Sequence, residues 1–171
     1  MRRLMLLRHA KADTPDSVQD HDRPLALRGR RQCKAMGEYL RSQGLIPDLV
    51  VVSTARRAQE TWKLVCESFA KPISRQNETR IYEATTDTLL EVIRETAASV
   101  HVLLLVGHNP GFERLAASLT GSGKASAIGR LEQEYPTAGL AVIDFGMCDW
   151  TEIKAGQGHL ERFETLATID A

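Results

Sequence analysis

The sequence predicts an α/β fold: a three-layer sandwich with a mostly parallel central sheet, helices on both faces and an antiparallel edge hairpin. Three observations lead there. Short apolar runs alternate with stretches whose apolar residues fall at helical spacing, the pattern of strands and crossover helices sharing one chain. The runs Leu4-Met5-Leu6-Leu7, Leu49-Val50-Val51-Val52 and Val102-Leu103-Leu104-Leu105-Val106 contain no polar residue, so each strand is expected to be covered on both faces. Strands separated by helices run parallel through right-handed crossovers. At 171 residues, 1–171 is expected to form one domain.

The elements follow in order. The first strand is expected at 4–7. The stretch 13–24 holds two prolines and five aspartates or histidines and reads as a loop. A helix over 27–43 follows from the spacing of Cys33, Met36, Gly37 and Leu40, with Gly44 suited to its carboxyl end. The β-branched run 49–52 is a second strand. A helix over 54–69 presents Ala58, Trp62, Val65 and Phe69 on one face and stops before Pro72. Arg80-Ile81-Tyr82 is a short strand, and 88–98 a helix with Leu89, Leu90, Ile93 and Ala97 on one side. A strand at 102–106, a helix at 112–119 and a glycine- and serine-rich loop at 121–129 come next. Strands at 140–145 and 150–153, joined by Gly146-Met147-Cys148-Asp149, complete the fold as the edge hairpin.

Composition narrows the function. Apolar residues make up 43% and charged residues 26%, as in ordinary soluble globular proteins. The 22 basic and 22 acidic residues cancel, which argues against a broad nucleic-acid or anionic-membrane surface but permits a local basic cluster. Cys33, Cys66 and Cys148 are far apart and odd in number, as expected of reduced thiols in a cytoplasmic protein. Arg2-Arg3 precedes only four apolar residues, too few for a signal core or a membrane span.

Two apolar strands end on a histidine. The first runs into Arg8-His9, and the strand at 102–106 into Gly107-His108. A third strand end carries Ser53-Thr54-Ala55-Arg56-Arg57. In open α/β sheets ligands bind outside the carboxyl ends of the strands, so these groups converge if the strands are neighbours. Such a pocket suits a phosphoryl group. Guanidinium forks bind phosphate oxygens in pairs, and a neutral imidazole is a competent nucleophile toward phosphorus. Fixed cations aimed at the equatorial oxygens are most of what an enzyme contributes to that transfer. A metal site is disfavoured: neither His9 nor His108 has partners at ligand spacing, and Arg8 repels a cation. His21 is expected in a solvated loop, and His101 and His159 at the surface.

These segments resemble the histidine phosphatase superfamily, the phosphoglycerate-mutase-like fold, and within it the SixA-type phosphohistidine phosphatases. Leu7-Arg8-His9-Ala10 resembles the RHG signature, Asp22-Arg23-Pro24-Leu25 the loop after it, and Ser53 to Ala58 the S-x-x-x-R-A element. Val106-Gly107-His108-Asn109-Pro110 resembles the second histidine motif, and Tyr135 to Leu140 the approach to the late strand. The resemblance implies His9 as nucleophile, Arg8 and Arg57 as phosphate clamps, and His108 as a second imidazole on the phosphoryl oxygens. It further implies Arg23 at the substrate rim, no cofactor and no metal. Three positions depart from the pattern: Ala10 replaces a glycine, Ala26 a threonine and Glu60 a glutamine. Glu60, one helical turn from Arg57, is a candidate to pair with it.

The resemblance implies a phosphatase acting through a phosphohistidine intermediate on a phosphorylated histidine-containing partner protein. A phosphomonoesterase or mutase on a small molecule is the alternative, and a phosphate-binding module without turnover a second. Esters need a general acid more than phosphohistidine does. Glu83 is the candidate, with burial expected to raise its pKa. The short chain leaves little room for a lid and suggests an open groove.

Overall fold

The computed structural model describes residues 1–147 and 149–169. Its strands are β1 (Arg2–Arg8), β2 (Leu49–Ser53), β3 (Ser74–Glu78), β4 (Val102–Gly107), β5 (Thr120–Gly123), β6 (Leu140–Phe145) and β7 (Gly158–Glu164). The helices are α1 (Leu27–Ser42), α2 (Arg56–Cys66), α3 (Thr86–Arg94), α4 (Gly111–Leu119), α5 (Ala125–Gln133) and α6 (Leu166–Ile169). The strands form one sheet in the order β3-β2-β4-β1-β6-β7-β5. It is mostly parallel, with β6 antiparallel to both β1 and β7.

The apolar strands are buried on both faces because their side chains alternate between two cores. Leu4, Leu6, Leu103 and Leu105 pack with α3, α4 and α5. Met5, Leu7, Leu104 and Val106 pack with α1 and α2. The start of α1 is pressed against the segment after β1. A Cβ on Gly29 would lie 2.0 Å from the Lys11 carbonyl oxygen, so only glycine permits that approach. Gly44, at φ +67°, turns the chain out of α1.

Several elements differ from the sequence expectation. The strand expected at 80–82 forms earlier, as β3. Thr79–Ile81 is instead a 3-10 turn that buries Ile81. β3 reads Ser-Arg-Gln-Asn-Glu because it is an edge strand, exposed over most of its length. The expected loop at 121–129 overlaps the last three residues of β5 and the first five of α5, a helix that buries only Ala127 and Leu131. The antiparallel partner of β6 is β7, not 150–153. Trp150–Glu152 is a 3-10 turn whose indole is fully buried and donates to the Val100 carbonyl at 2.7 Å. β5 lies outside β7, so the antiparallel pair is not the outermost part of the sheet. α3 starts at Thr86 because Thr85 caps it, accepting from the Thr88 amide. Cys33 is buried and Cys66 partly so, both as free thiols; Cys148 lies outside the described residues. Among the described residues no helix is long and apolar enough to cross a membrane.

Candidate active site

Three parallel strands end side by side. Arg8 of β1 is in register with Gly107 of β4, and Val106 of β4 with Val52 of β2. Their carboxyl ends open on a hollow of about 250 Å³ lined by Arg8, His9, Lys11, Arg23, Arg57 and His108, among others. Arg8, His9, Arg57 and His108 thus come together from three strand ends.

His9 is only 8% exposed. Its Nδ1 lies 2.8 Å from the Ala10 carbonyl oxygen, which can only accept, so the ring proton sits on Nδ1. Nε2 therefore carries a lone pair, which accepts from Nε of Arg57 at 3.3 Å. Burial, then the charges of Arg57 and Arg8, push the His9 pKa down to about 4, so the ring is neutral near pH 7. Ala10 keeps a negative φ, and its amide donates to the Thr61 hydroxyl, which donates to the Arg57 carbonyl. Thr61 therefore links the turn holding His9 to the helix holding Arg57.

His108 sits beside His9, ring centroids 5.1 Å apart and planes tilted by 55°. Its Nε2 meets the Ser53 hydroxyl at 2.7 Å, and its Nδ1 is buried without a partner. Burial, followed by His9 and Arg57, lowers its pKa to about 3. Arg8 donates through Nη1 to the Tyr135 carbonyl at 2.9 Å, and its buried Nε has no partner. Burial lowers the Arg8 pKa, but the group stays charged.

Arg57 is the second residue of α2 and is 7% exposed. Its Nη1 donates to the Asp20 carbonyl oxygen at 2.7 Å and its Nη2 to the Asp20 carboxylate at 3.0 Å. The same carboxylate accepts from the Tyr82 hydroxyl at 2.5 Å and from Arg23 at 3.0 Å. These donors, Tyr82 foremost, hold the Asp20 carboxyl far below the usual carboxylate range. Asp20 in turn pushes the Tyr82 phenol up to about 12.

The expected pairing of Glu60 with Arg57 does not occur. Glu60 accepts from the Leu25 amide at 2.8 Å and from Arg56 at 3.2 Å, and the anion on Arg57 is Asp20. Arg23 lines the hollow while its guanidinium reaches Asp20, Thr14 and the Asp13 carbonyl. Glu83 is exposed rather than buried. It lines an adjoining cavity of about 670 Å³ with Asp20, Tyr82, Asp87 and Arg114. His21 meets the Thr54 hydroxyl at 3.0 Å and packs edge-on to Tyr82, so it belongs to the rim of the site. Sequence reasoning missed Asp20 and Tyr82. The one available signal was the polar run Gln19-Asp20-His21-Asp22, read as a solvated loop. Among the described residues no group of three or more His, Cys, Asp and Glu side chains is placed to hold a metal ion.

The sequence profile of the histidine phosphatase superfamily (branch 1) matches residues 4–85. An uncharacterized protein of Mycobacterium tuberculosis is 38% identical over 160 residues, covering 92% of this chain and 98% of its own. A protein assigned as the phosphohistidine phosphatase SixA of Nakamurella multipartitia superposes with a TM-score of 0.84 at 26% identity. That likeness covers 96% of this chain and 95% of the other. A protein assigned as SixA of Agrobacterium tumefaciens superposes at 0.78 with 28% identity, over 96% and 97% of the two chains. The chain belongs to the histidine phosphatase superfamily, in its SixA-type branch. With that membership goes a histidine-phosphatase-type activity, the hydrolysis of phosphoryl groups.

Proposed function

We propose that the hollow is the phosphoryl-transfer site of a metal-independent phosphatase, and that its substrate is phosphohistidine carried on a partner protein. One observation supports this most. His9 is fixed by its Nδ1 hydrogen bond so that the Nε2 lone pair stands beside the Arg57 guanidinium. That is a neutral nucleophile next to a permanent cation. Nε2 attacks phosphorus in line; the bond from phosphorus to the substrate imidazole breaks as the bond to His9 forms. The departing imidazole takes a proton from solvent. Water then attacks the phosphoryl-His9 bond, releasing inorganic phosphate and a proton and restoring the free ring.

Arg8, Arg57 and His108 carry the charge on the equatorial oxygens. Two buried atoms without partners, Nε of Arg8 and Nδ1 of His108, are groups a bound oxyanion would satisfy. Asp20 is ionised, and Glu83 is exposed. Neither is a buried protonated acid of the kind that serves an alkoxide leaving group. A phosphohistidine leaves as imidazole and depends less on such an acid, which supports the P–N substrate. The small-molecule alternative draws support from the adjoining cavity, where Glu83 would supply the proton.

Brief reaction with a phosphohistidine peptide, quenched in base, should add one acid-labile phosphate to the peptide containing His9. EDTA should leave turnover unchanged. Turnover by His9→Ala at the wild-type rate would end the nucleophile assignment, and strong EDTA inhibition would end metal independence. Faster turnover of phosphoglycerates or p-nitrophenyl phosphate than of phosphohistidine would favour the small-molecule reading.

A further inference from the structure

We propose that the outer face of α1 is the docking surface for the acidic flank of the phosphorylated partner protein. This rests on the phosphoprotein reading of the site. The inner side of α1 buries Cys33, Met36, Gly37 and Leu40. The outer side exposes Arg28, Arg30, Arg31, Lys34 and Arg41. Among the described residues none of these five side chains forms an ion pair or a hydrogen bond. Three carboxylates border these cations: Glu38 on α1; Glu67 after α2, which shares a shallow cleft with Arg30, Lys34 and Arg41; and Glu134, which shares a second cleft with Arg28. Five cations therefore face three anions, on a chain whose total charge is zero.

The placement runs against helix stability. Arg28, Arg30 and Arg31 crowd the amino-terminal end of α1, the positive pole of its dipole, and the first turn holds no acid. Ala26, at the cap, supplies no side-chain acceptor. Lys34 lies one turn from both Arg30 and Arg31, and like charges at that spacing repel. Leu27 starts the same face and is 66% exposed. Local rules broken together, with no ion pair among the described residues to offset them, point to a role outside the folded chain.

The ridge leads to the site. The Ala26 amide donates to the Lys11 carbonyl and the Lys11 amide to the Gln32 side chain, both at 2.9 Å. Lys11 itself lines the His9 hollow. From that rim the ridge extends along 16 residues of helix, about 24 Å at 1.5 Å per residue. A protein presenting its phosphohistidine to His9 would lay adjacent surface along α1, and carboxylates there would meet the five cations around the apolar Leu27. A nucleic acid or an anionic membrane asks for a broad basic surface. Here the cations are confined to the exposed side of one helix whose start adjoins the hollow.

The test compares three probes: a phosphohistidine peptide of about twelve residues flanked by glutamates, its lysine-flanked counterpart, and phosphoramidate. An extended peptide of that length spans ~40 Å, enough to reach along α1. At low salt the acidic peptide should show a kcat/KM roughly tenfold above the basic one. That advantage should fall to near parity in the triple variant Arg30→Gln, Arg31→Gln, Lys34→Gln, and likewise in about 0.5 M salt. Glutamine keeps the exposed helix positions helical. Phosphoramidate turnover should be the same in both proteins. Equal rates for the two peptides in the wild type would overturn the docking surface and leave the phosphatase reading standing. So would a triple variant that slows phosphoramidate as much as the acidic peptide, or ridge-dependent binding of a single-stranded oligonucleotide or phosphatidylserine vesicles without peptide discrimination. Turnover of none of the three probes would sink both readings.

Discussion

Arg8 and Arg57 flank the same imidazole, yet their surroundings differ. Arg8 leaves the end of a central strand, has one link to a backbone carbonyl and keeps a buried N–H without a partner. Among the described residues no carboxylate forms an ion pair with it. Arg57 lies in the first turn of a helix and already holds an anion, with both terminal nitrogens on Asp20 and only Nε turned to His9. One guanidinium is thus open to an incoming oxyanion. The other is held in place by an internal one, which Tyr82 and Arg23 hold from the far side. The difference suggests a division of labour in which Arg8 supplies unused donor capacity and Arg57 supplies a fixed direction.

Removing each cation sharpens that contrast most. Arg57→Ala and Arg8→Ala should each lower kcat/KM toward phosphoramidate by ~10²–10³ fold, the scale of losing a preorganised charge donor. The lysine variants separate the two roles. Arg57→Lys cannot hold Asp20 with two nitrogens while directing a third at His9, so it should behave nearly as badly as alanine. Arg8→Lys retains a charge where one donor was unused and should recover more activity. Equal recovery in both would break the division of labour.

The imidazole between the two cations should show their influence in its titration. Burial first, then Arg57 and Arg8, place the His9 pKa at about 4. The acid limb of kcat/KM, corrected for ionisation of the substrate, should lie near pH 4. At pH 5.5 the enzyme should keep most of its activity, where a histidine at its ordinary value near 6.5 would cost about tenfold. The same depression has a sign for stability. The folded pKa lies below the unfolded one, so the contribution is full above about pH 6.5 and is lost as pH falls through about 4. An acid limb at 6–7 in phosphoramidate turnover would contradict the burial argument.

Asp20→Asn tests whether the anion on Arg57 competes with phosphate. The variant keeps an acceptor for the guanidinium but removes a negative charge next to the hollow. At half-exposed sites one such charge is worth about 1 kcal/mol to a neighbouring anion. Inorganic phosphate should therefore bind roughly fivefold more tightly, measured by calorimetry. Weaker phosphate binding would mean that Asp20 acts chiefly by orienting Arg57.

The same contrast explains what was legible in the sequence. Arg8, His9 and His108 follow uninterrupted apolar strands, so their arrival at one sheet edge follows from strand order, and β4 does lie between β1 and β2. Asp20 and Tyr82 reach the site from loops, through contacts set by tertiary packing that leave no periodic trace. Glu60 looked like the partner of Arg57 on helical spacing alone, yet the Leu25 amide and Arg56 engage it. In the fold, β3, β5 and α5 escaped notice for a related reason. They lie toward the sheet's edges and bury few side chains, so their sequences carry little apolar pattern. Trp150 misled in the opposite direction: a large apolar residue suggested a strand where a single turn buries it.

The smallest expected effect concerns the link between the turn bearing His9 and the helix of Arg57. The Thr61 hydroxyl accepts from the Ala10 amide at 3.0 Å and donates to the Arg57 carbonyl at 2.7 Å, and the residue is buried. Thr61→Val preserves shape but leaves the Ala10 amide without a partner. Such an orphaned buried donor costs roughly 1–3 kcal/mol of stability, visible as a lower Tm. If the link positions His9 against Arg57, kcat should also fall by about two- to threefold with phosphate affinity unchanged, because the turn bearing His9 loses its fixed height over Arg57 Nε. Thr61→Ser, which restores the hydroxyl, should return kcat to the wild-type value. A Thr61→Val protein that is less stable but equally fast would reduce Thr61 to a packing residue and leave the strand ends alone to place His9.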